Sequence, residues 1–264
     1  MSRARNLWVM FVTGMWTLIC FPLAMGSMIL TLNAAITIWW ARRVWAPVLL
    51  WSGNVKLEAH GREHVDPKRP TLYISNHQSA ADIPVLFMSI PCDLRIVAKK
   101  QLAWVPLVGW YMLIAGYVLV DRGNRAKAIA SLERGARQIR KGISLIMYAE
   151  GTRSEDGRIL PFKKGPFALA MKAGVAVCPV TIEGSHKVMP KNRWTITPGV
   201  IKVKIGAPID ASKYGPDGRE RLIHDVRQVI IRQSVELGGL GGDPKDDVAE
   251  AGLEGLGRST HHGA

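Results

Sequence analysis

The chain has 264 residues, 48% of them hydrophobic, and a formal net charge of +14. Residues 237–264 hold five acids and two bases, which leaves +17 on residues 1–236, a balance suited to an anionic partner such as a phospholipid surface or a phosphorylated substrate. No basic motif with interleaved stacking aromatics is present, which excludes nucleic acid; three scattered cysteines with no CxxC exclude a disulfide frame and a zinc site and point to a reducing compartment.

Residues 6–41 contain no charged side chain. Pro22 and Gly26 interrupt this run and predict two helical pieces, 7–21 and 27–40. Each is shorter than the roughly 20 residues of a spanning helix. Read together they make one kinked span; folded against each other they make a hairpin dipped into one leaflet, which is the arrangement expected here. Trp39, Trp40, Arg42, Arg43, Trp45 and Trp51 follow as an aromatic and basic belt for the headgroup layer. Residues 1–51 therefore read as a membrane-associated helical segment. Basic residues on both flanks leave its orientation open.

From residue 52 the pattern becomes α/β. "TLYIS" (71–75), "LRIVA" (94–98), "YVLVD" (117–121), "SLIMY" (144–148), "VAVCPVTI" (175–182) and "VIKVKI" (200–205) predict strands. Between them, 125–141 predicts an amphipathic helix with Ile129, Leu132, Ala136 and Ile139 inward. Residues 101–115 are too apolar for a surface helix and predict either core or a wall against lipid. Residues 219–236 predict a last helix. Strands alternating with helices imply an α/β domain over 52–236, with a mixed, mostly parallel sheet covered by helices on both faces. The Gly-rich stretch 237–264 predicts a disordered tail.

The stretch "YISNHQSAADIP" (73–84) carries one His and one Asp at the end of a strand, where α/β proteins place their chemistry. "SAAD" reads as a capping box with Ser79 at the cap and Asp82 three residues on. On one helix His77 and Asp82 would sit about 140° apart. A pre-helical His77 can instead fold back over the first turn, give its Nδ1–H to Asp82 and keep Nε2 free as a base. No serine nucleophile accompanies the pair, which suits direct deprotonation of a substrate hydroxyl. Downstream, "LVDRGNR" (119–125) brings Arg122 and Arg125, "YAEGTRS" (148–154) brings Glu150, Gly151, Thr152 and Arg153, and "PFKKG" (161–165) brings two lysines. Such loops suit a phosphate.

Together these stretches resemble the motifs of the glycerolipid acyltransferases. "NHQSAAD" resembles NHxxxxD, "LVDRGNR" a second motif ending on an arginine at Arg122, "YAEGTRS" the third motif FPEGTRS, and "VAVCPVTI" a fourth around Pro179. They occur in family order over about residues 70–182, and they look most like the bacterial 1-acyl-glycerol-3-phosphate acyltransferases. The resemblance implies acyl transfer from acyl-CoA or acyl carrier protein to the free hydroxyl of lysophosphatidic acid. It implies His77 as general base and Asp82 as its orienting partner. Arg122, Glu150, Gly151, Thr152 and Arg153 would hold the substrate phosphate, with Lys99 of "AKKQL" beside them. Pro179 would help shape the acyl side. It further implies no cofactor and no metal, membrane phospholipid as partner, and a place on the cytoplasmic face of the inner membrane. Ala149, Tyr148 and Gln101 depart from the usual Pro, Phe and Glu, which leaves the acceptor open to other lyso-lipids, such as a lyso-ornithine lipid or lysophosphatidylethanolamine. A non-catalytic lipid-binding protein is the contrasting expectation.

A thiolate leaving group, with a pKa near 8.5, needs little acid assistance, so one base suffices. The developing oxyanion needs donors, and the backbone N–H groups of Ser79, Ala80 and Ala81 at the helix start are candidates. The run 104–115 is a candidate wall for the acyl chain.

Overall fold

The computed structural model describes residues 3–105, 107–121 and 123–243. Seven strands form one sheet in the order β1-β7-β6-β2-β5-β3-β4: β1 (Val55–His60), β2 (Leu72–Ser75), β3 (Leu94–Lys99), β4 (Val118–Val120), β5 (Ser144–Tyr148), β6 (Val177–Glu183) and β7 (Gly199–Ile205). Every neighbouring pair is parallel except β6–β7. The sheet is thus mixed and mostly parallel, as the alternating pattern predicts. The six predicted strands form. The seventh, β1, went unread because "VKLEAH" alternates with Lys56, Glu58 and His60 and pairs only along one edge, where a half-exposed strand needs no apolar run.

Side chains alternate across the sheet. Tyr73, Ile96, Leu119, Ile146, Val180 and Ile182 face one core. Leu72, Ile74, Val97, Leu145, Met147 and Val177 face the other. The second core is closed by α6 (Arg125–Arg140), α7 (Lys164–Ala173) and α9 (Arg219–Glu236). Helix α6 starts behind Asn124, whose side chain accepts the Lys127 N–H at 3.0 Å. Ala136 and Ile139 are fully buried, whereas Ile129, expected inward, is half-exposed. Residues 237–243 continue past α9 in contact with the domain, with Gly242 bridging Ile159; 244–264 lie outside the described residues.

The first core is closed by α4 (Asp82–Ser89), α5 (Val108–Ile114) and the N-terminal helices. The latter are α1 (Arg3–Thr31), α2 (Ala35–Trp40), a π-helical turn (Ala41–Trp45) and α3 (Ala46–Gly53). They make a helical hairpin, but not with the predicted break. Helix α1 runs unbroken through Pro22 for 29 residues, about 43 Å. A proline removes only one hydrogen bond, and the second arm pins the helix on both sides of it, at Thr17 through Trp45 and at Ser27 through Trp40. The chain turns instead at Leu32, with φ +52°, and at Asn33, whose Oδ1 accepts the Ala35 N–H at 2.9 Å. Long, apolar and mostly unburied, α1 suits membrane association.

The predicted headgroup belt divides. Trp39, Arg43 and Trp51 are exposed. Trp40 donates to Ser27 Oγ at 3.1 Å and Trp45 to Thr17 Oγ1 at 3.0 Å, so both pin the hairpin together. Arg42 donates to the carbonyls of Phe87, Ile90 and Cys92 at 2.9, 2.7 and 2.5 Å. A guanidinium at the carbonyl end of α4 satisfies groups a helix terminus leaves open and complements its dipole. Arg42 therefore locks the hairpin to the α/β domain rather than facing lipid.

Candidate active site

Strands β2 to β6 all end at one edge of the sheet, and His77 lies just beyond β2, at the centre. The Asn76 side chain ties that strand end to β6: its Nδ2 donates to the Ile182 carbonyl and its Oδ1 accepts the Ile182 N–H, both at 2.8 Å. The loop then carries His77 backwards over the start of α4. Its Nδ1 meets Asp82 Oδ2 at 2.7 Å, while Nε2 makes no hydrogen bond among the described residues. Asp82 is fully buried and the imidazole is 18% exposed. An acceptor-only carboxylate on Nδ1 assigns the proton there and leaves Nε2 with its lone pair outward.

The same Oδ2 accepts the backbone N–H groups of Gln78 at 2.8 Å and Ser79 at 2.9 Å. The carboxylate reaching back to Ser79 is half of the predicted capping box. The other half is absent, because Ser79 Oγ donates to the Met189 carbonyl and accepts from Ala81 N–H. The expected oxyanion role of this stretch is corrected accordingly. The Ser79 amide serves Asp82 and the Ala81 amide serves Ser79, so of the three only Ala80 keeps an N–H without a partner among the described residues. Charge-assisted bonds of this kind stabilise by about 1.5–3 kcal/mol each, so Asp82 organises the loop as well as the base.

Glu150 departs from its expected place beside phosphate. It is buried, and its Oε1 accepts the His77 backbone N–H at 3.1 Å. Burial holds its carboxyl well above the ordinary carboxylate range, partly opposed by that hydrogen bond. The following turn closes on the same residue, with Ser154 N–H donating to the His77 carbonyl at 2.7 Å. Gly151 makes this turn at φ +74°, where a side chain would be strained. Thr152 and Arg153 remain on the outside, Thr152 exposed and Arg153 partly so.

Tyr148, noted in the sequence only as a departure from Phe, stacks on the His77 ring with centroids 3.8 Å apart and planes 12° from parallel. Its hydroxyl is buried without a hydrogen-bond partner, and burial, then the nearby Asp82 charge, raises its pKa far above the usual phenol value. Gln78 carries no sequence signal of a role, and His186 reads from the sequence as one of several scattered histidines, structural or solvated. Gln78 Nε2 donates to the Gly157 carbonyl at 3.0 Å and Glu183 at 3.3 Å, and its Oε1 faces His186 Nδ1 at 3.0 Å. Burial lowers the His186 pKa. No local spacing signals these partners, which come from loops some hundred residues apart.

The other predicted residues spread along the edge. Lys99 ends β3, two strands from β2, or about 10 Å at ordinary strand spacing, and is exposed. Lys164 pairs with Glu220 at 2.9 Å, on α9. Arg122 and the side chain of Arg125 lie outside the described residues. Pro179 is buried within β6, opposite Ile74, and its carbonyl accepts Gly206 N–H. It does not line the apolar cavity, so its expected acyl-side role gives way to a place in the sheet.

That cavity, of about 270 Å³, lies behind α4 between the hairpin and α5. Ile83 and Phe87 of α4, Phe21 and Ala41 of the hairpin, and Leu102 and Met112 are among its walls. Ile83 follows Asp82 directly, so the cavity abuts the helix turn that holds the dyad.

A family model described as Acyltransferase matches residues 56–183. A 1-acyl-sn-glycerol-3-phosphate acyltransferase of Limnanthes alba is 37% identical over 183 residues, 68% of this chain and 64% of that protein. The chain thus spans less than two thirds of that plant relative. The protein of the same description from Salmonella typhimurium is 34% identical over 185 residues, 70% of this chain and 75% of its own length. The crystal structure of the 1-acyl-sn-glycerophosphate (LPA) acyltransferase PlsC from Thermotoga maritima matches with a TM-score of 0.79 at 27% identity, covering 92% of this chain and all of that one. With His77, Asp82 and Glu150 joined at one sheet edge, and with a relative 34% identical that this chain covers to 75% of its length, the chain belongs to the acyltransferase family.

Proposed function

We propose that the protein transfers a fatty acyl group from acyl-CoA or acyl carrier protein to the sn-2 hydroxyl of lysophosphatidic acid, giving phosphatidic acid. His77 Nε2 takes the proton of the acceptor hydroxyl as its oxygen attacks the thioester carbonyl carbon. The C–S bond then breaks, and the thiolate leaves with the proton returned from the imidazolium. Asp82 fixes the tautomer and stabilises the imidazolium. No acyl-enzyme forms, and no cofactor or metal is called on. Lys99, Arg122, Thr152 and Arg153 hold the phosphate, Gly151 turns the loop that presents Thr152 and Arg153, and Glu150 acts through the His77 backbone. The acyl chain occupies the apolar cavity, away from water that would hydrolyse the thioester. Similar relatives described as 1-acyl-sn-glycerol-3-phosphate acyltransferases support the acceptor. The protein works at the inner membrane, with the hairpin seated in the cytoplasmic leaflet.

The observation that carries this reading is the 2.7 Å His77–Asp82 contact with Nε2 unoccupied, on the helix that also walls the apolar cavity. The experiment is acyl transfer by purified protein reconstituted in membranes, with labelled acyl-CoA and acyl carrier protein offered to a panel of lyso-lipids. We expect lysophosphatidic acid to be acylated and His77→Ala to lower the rate by about 10³-fold, within the range of a general base. Preference for another lyso-lipid would move the acceptor and keep the chemistry. Transfer to none of them, or full activity in the variant, would overturn the reading in favour of a binding role.

A further inference from the structure

The hairpin is not the only apolar surface. Residues 101–115 were expected to be either core or a wall against lipid, and the segment has both a buried and an exposed apolar side. Tyr111 and Met112 point into the core, while Trp110 and Leu113 on α5 are 59% and 57% exposed. Trp104, in the 3-10 turn Lys100–Trp104, is 81% exposed. The inner side of this segment, through Leu102, Val108 and Met112, walls the apolar cavity. On one border Tyr111 stacks on Phe21 of α1 with centroids 4.7 Å apart, which packs α5 against a helix that is itself exposed at Leu18 and Leu23.

On the other border lies a notch of about 480 Å³ between this segment and α6, edged by Lys100, Lys127, Arg134 and Arg137. Its two acids are already engaged, Asp121 with Lys100 at 3.6 Å and Glu133 with Lys172 at 2.6 Å. Lys127, Arg134 and Arg137 form no ion pair among the described residues. Exposed tryptophan and leucine bordered by unpaired cations match the layering of an anionic bilayer, with apolar groups below and phosphates at the rim.

We propose that segment 100–114 and the basic face of α6 form a second membrane contact, with headgroup phosphates of anionic lipids in the notch. The proposal rests on the membrane seating of the hairpin. Two contacts on either side of the cavity wall fix the tilt of the α/β domain. They hold the sheet edge bearing Lys99 and His77 against the bilayer, where a lipid acceptor and the long-chain product move without crossing water.

The test uses full-length protein in phosphatidylcholine–phosphatidylglycerol vesicles, with an environment-sensitive fluorophore on Leu113→Cys. Leu18→Cys on α1 and Val235→Cys, exposed on α9, serve as lipid and water references; the native cysteines Cys20, Cys92 and Cys178 are buried. Quenching by nitroxide lipids at 113 within about twofold of that at 18 is the expected result. Charge reversal by Lys127→Glu with Arg137→Glu should cut that quenching several-fold, since each cation near an anionic surface is worth roughly fivefold in binding. A label at 113 as open to aqueous quencher as that at 235, while 18 stays in lipid, would sink the second contact alone. Loss of lipid quenching at 18 as well would sink the membrane reading beneath it. Shielding at 113 that appears only on adding acidic acyl carrier protein would assign the surface to the donor and overturn the bilayer as occupant. Equal quenching in phosphatidylcholine alone, unmoved by the charge reversal, would remove the headgroup site.

Discussion

The two faces of the sheet are covered by helices of different kinds. Under α6, α7 and α9 the core is closed, and these helices turn Lys, Arg and Glu outward, as in the ion pairs Lys164–Glu220 and Lys172–Glu133. Under the hairpin, α4 and α5 the core contains the cavity, and α1 and α5 are apolar on their outer sides too, with Phe11, Leu23, Trp110 and Leu113 exposed. The strands do not distinguish the faces, since both are lined by Val, Ile and Leu. The outer sides of the covering helices do, charged on one face and apolar on the other, as suits water on the first and the proposed bilayer on the second. The dyad lies between them, its imidazole at the sheet edge and its carboxylate on a helix of the apolar-sided face.

The largest blow to that arrangement comes from Asp82→Asn. Nδ1–H loses its carboxylate and the imidazolium its stabiliser, so kcat should fall by about 10³-fold or more while the fold survives. A loss under tenfold, read in the same transfer assay, would mean that the loop and not the carboxylate sets the base. Ala41→Leu tests the cavity. It pushes a larger side chain into the apolar space from the π-helical turn. Transfer of the longest acyl donors should drop by about tenfold, with the shortest little changed. An equal drop for every chain length would place the acyl group elsewhere.

Tyr148 tests how the base is held. Tyr148→Leu removes the stack and should cost up to about tenfold in kcat, the worth of an aromatic pair. Tyr148→Phe removes a buried hydroxyl that has no partner among the described residues and should leave kcat unchanged. An equal loss in both variants would show that the hydroxyl and not the ring matters. The smallest effect concerns Glu150. Its folded carboxyl binds its proton more tightly than the unfolded one, whose ordinary value is 4.5. Its contribution is therefore complete below pH 4.5 and lost as pH rises through the folded value. Glu150→Gln keeps an acceptor for the His77 amide but cannot ionise. The difference in Tm between variant and parent should then widen in the variant's favour as pH rises from 4.5 to the folded value and hold level above it. Parallel curves in a thermal scan would show a carboxylate compensated in the fold, with the nearby Arg227 charge the first candidate.

The chemistry was legible in the sequence where one loop contains both partners. His77 and Asp82 are five residues apart, and a pre-helical His over a helix start is local geometry. Glu150 was legible as a motif residue but not in its role, because its contact with the His77 amide spans 73 positions. Ser79 was legible as a capping residue, yet only the folded loop shows that its N–H is spent on Asp82. Strand β1 escaped because an edge strand shares its burial with water, and the Pro22 break was expected because proline's local cost is easier to read than the packing that overrides it.

By itself the sequence determined the alternation of buried strands and amphipathic helices, the uncharged N-terminal run and the short-range His–Asp pair. Each is a pattern written within a few turns or one strand, and local sterics and solvation read it directly. Only the tertiary structure decided that the hairpin turns at Asn33, that Arg42 clamps the end of α4 and that Pro179 sits in the sheet away from the cavity. It also decided that Trp104 and Trp110 face outward beside unpaired cations. Those outcomes depend on which groups meet across the chain, where a buried donor must find an acceptor and an apolar side chain must find either a neighbour or a lipid.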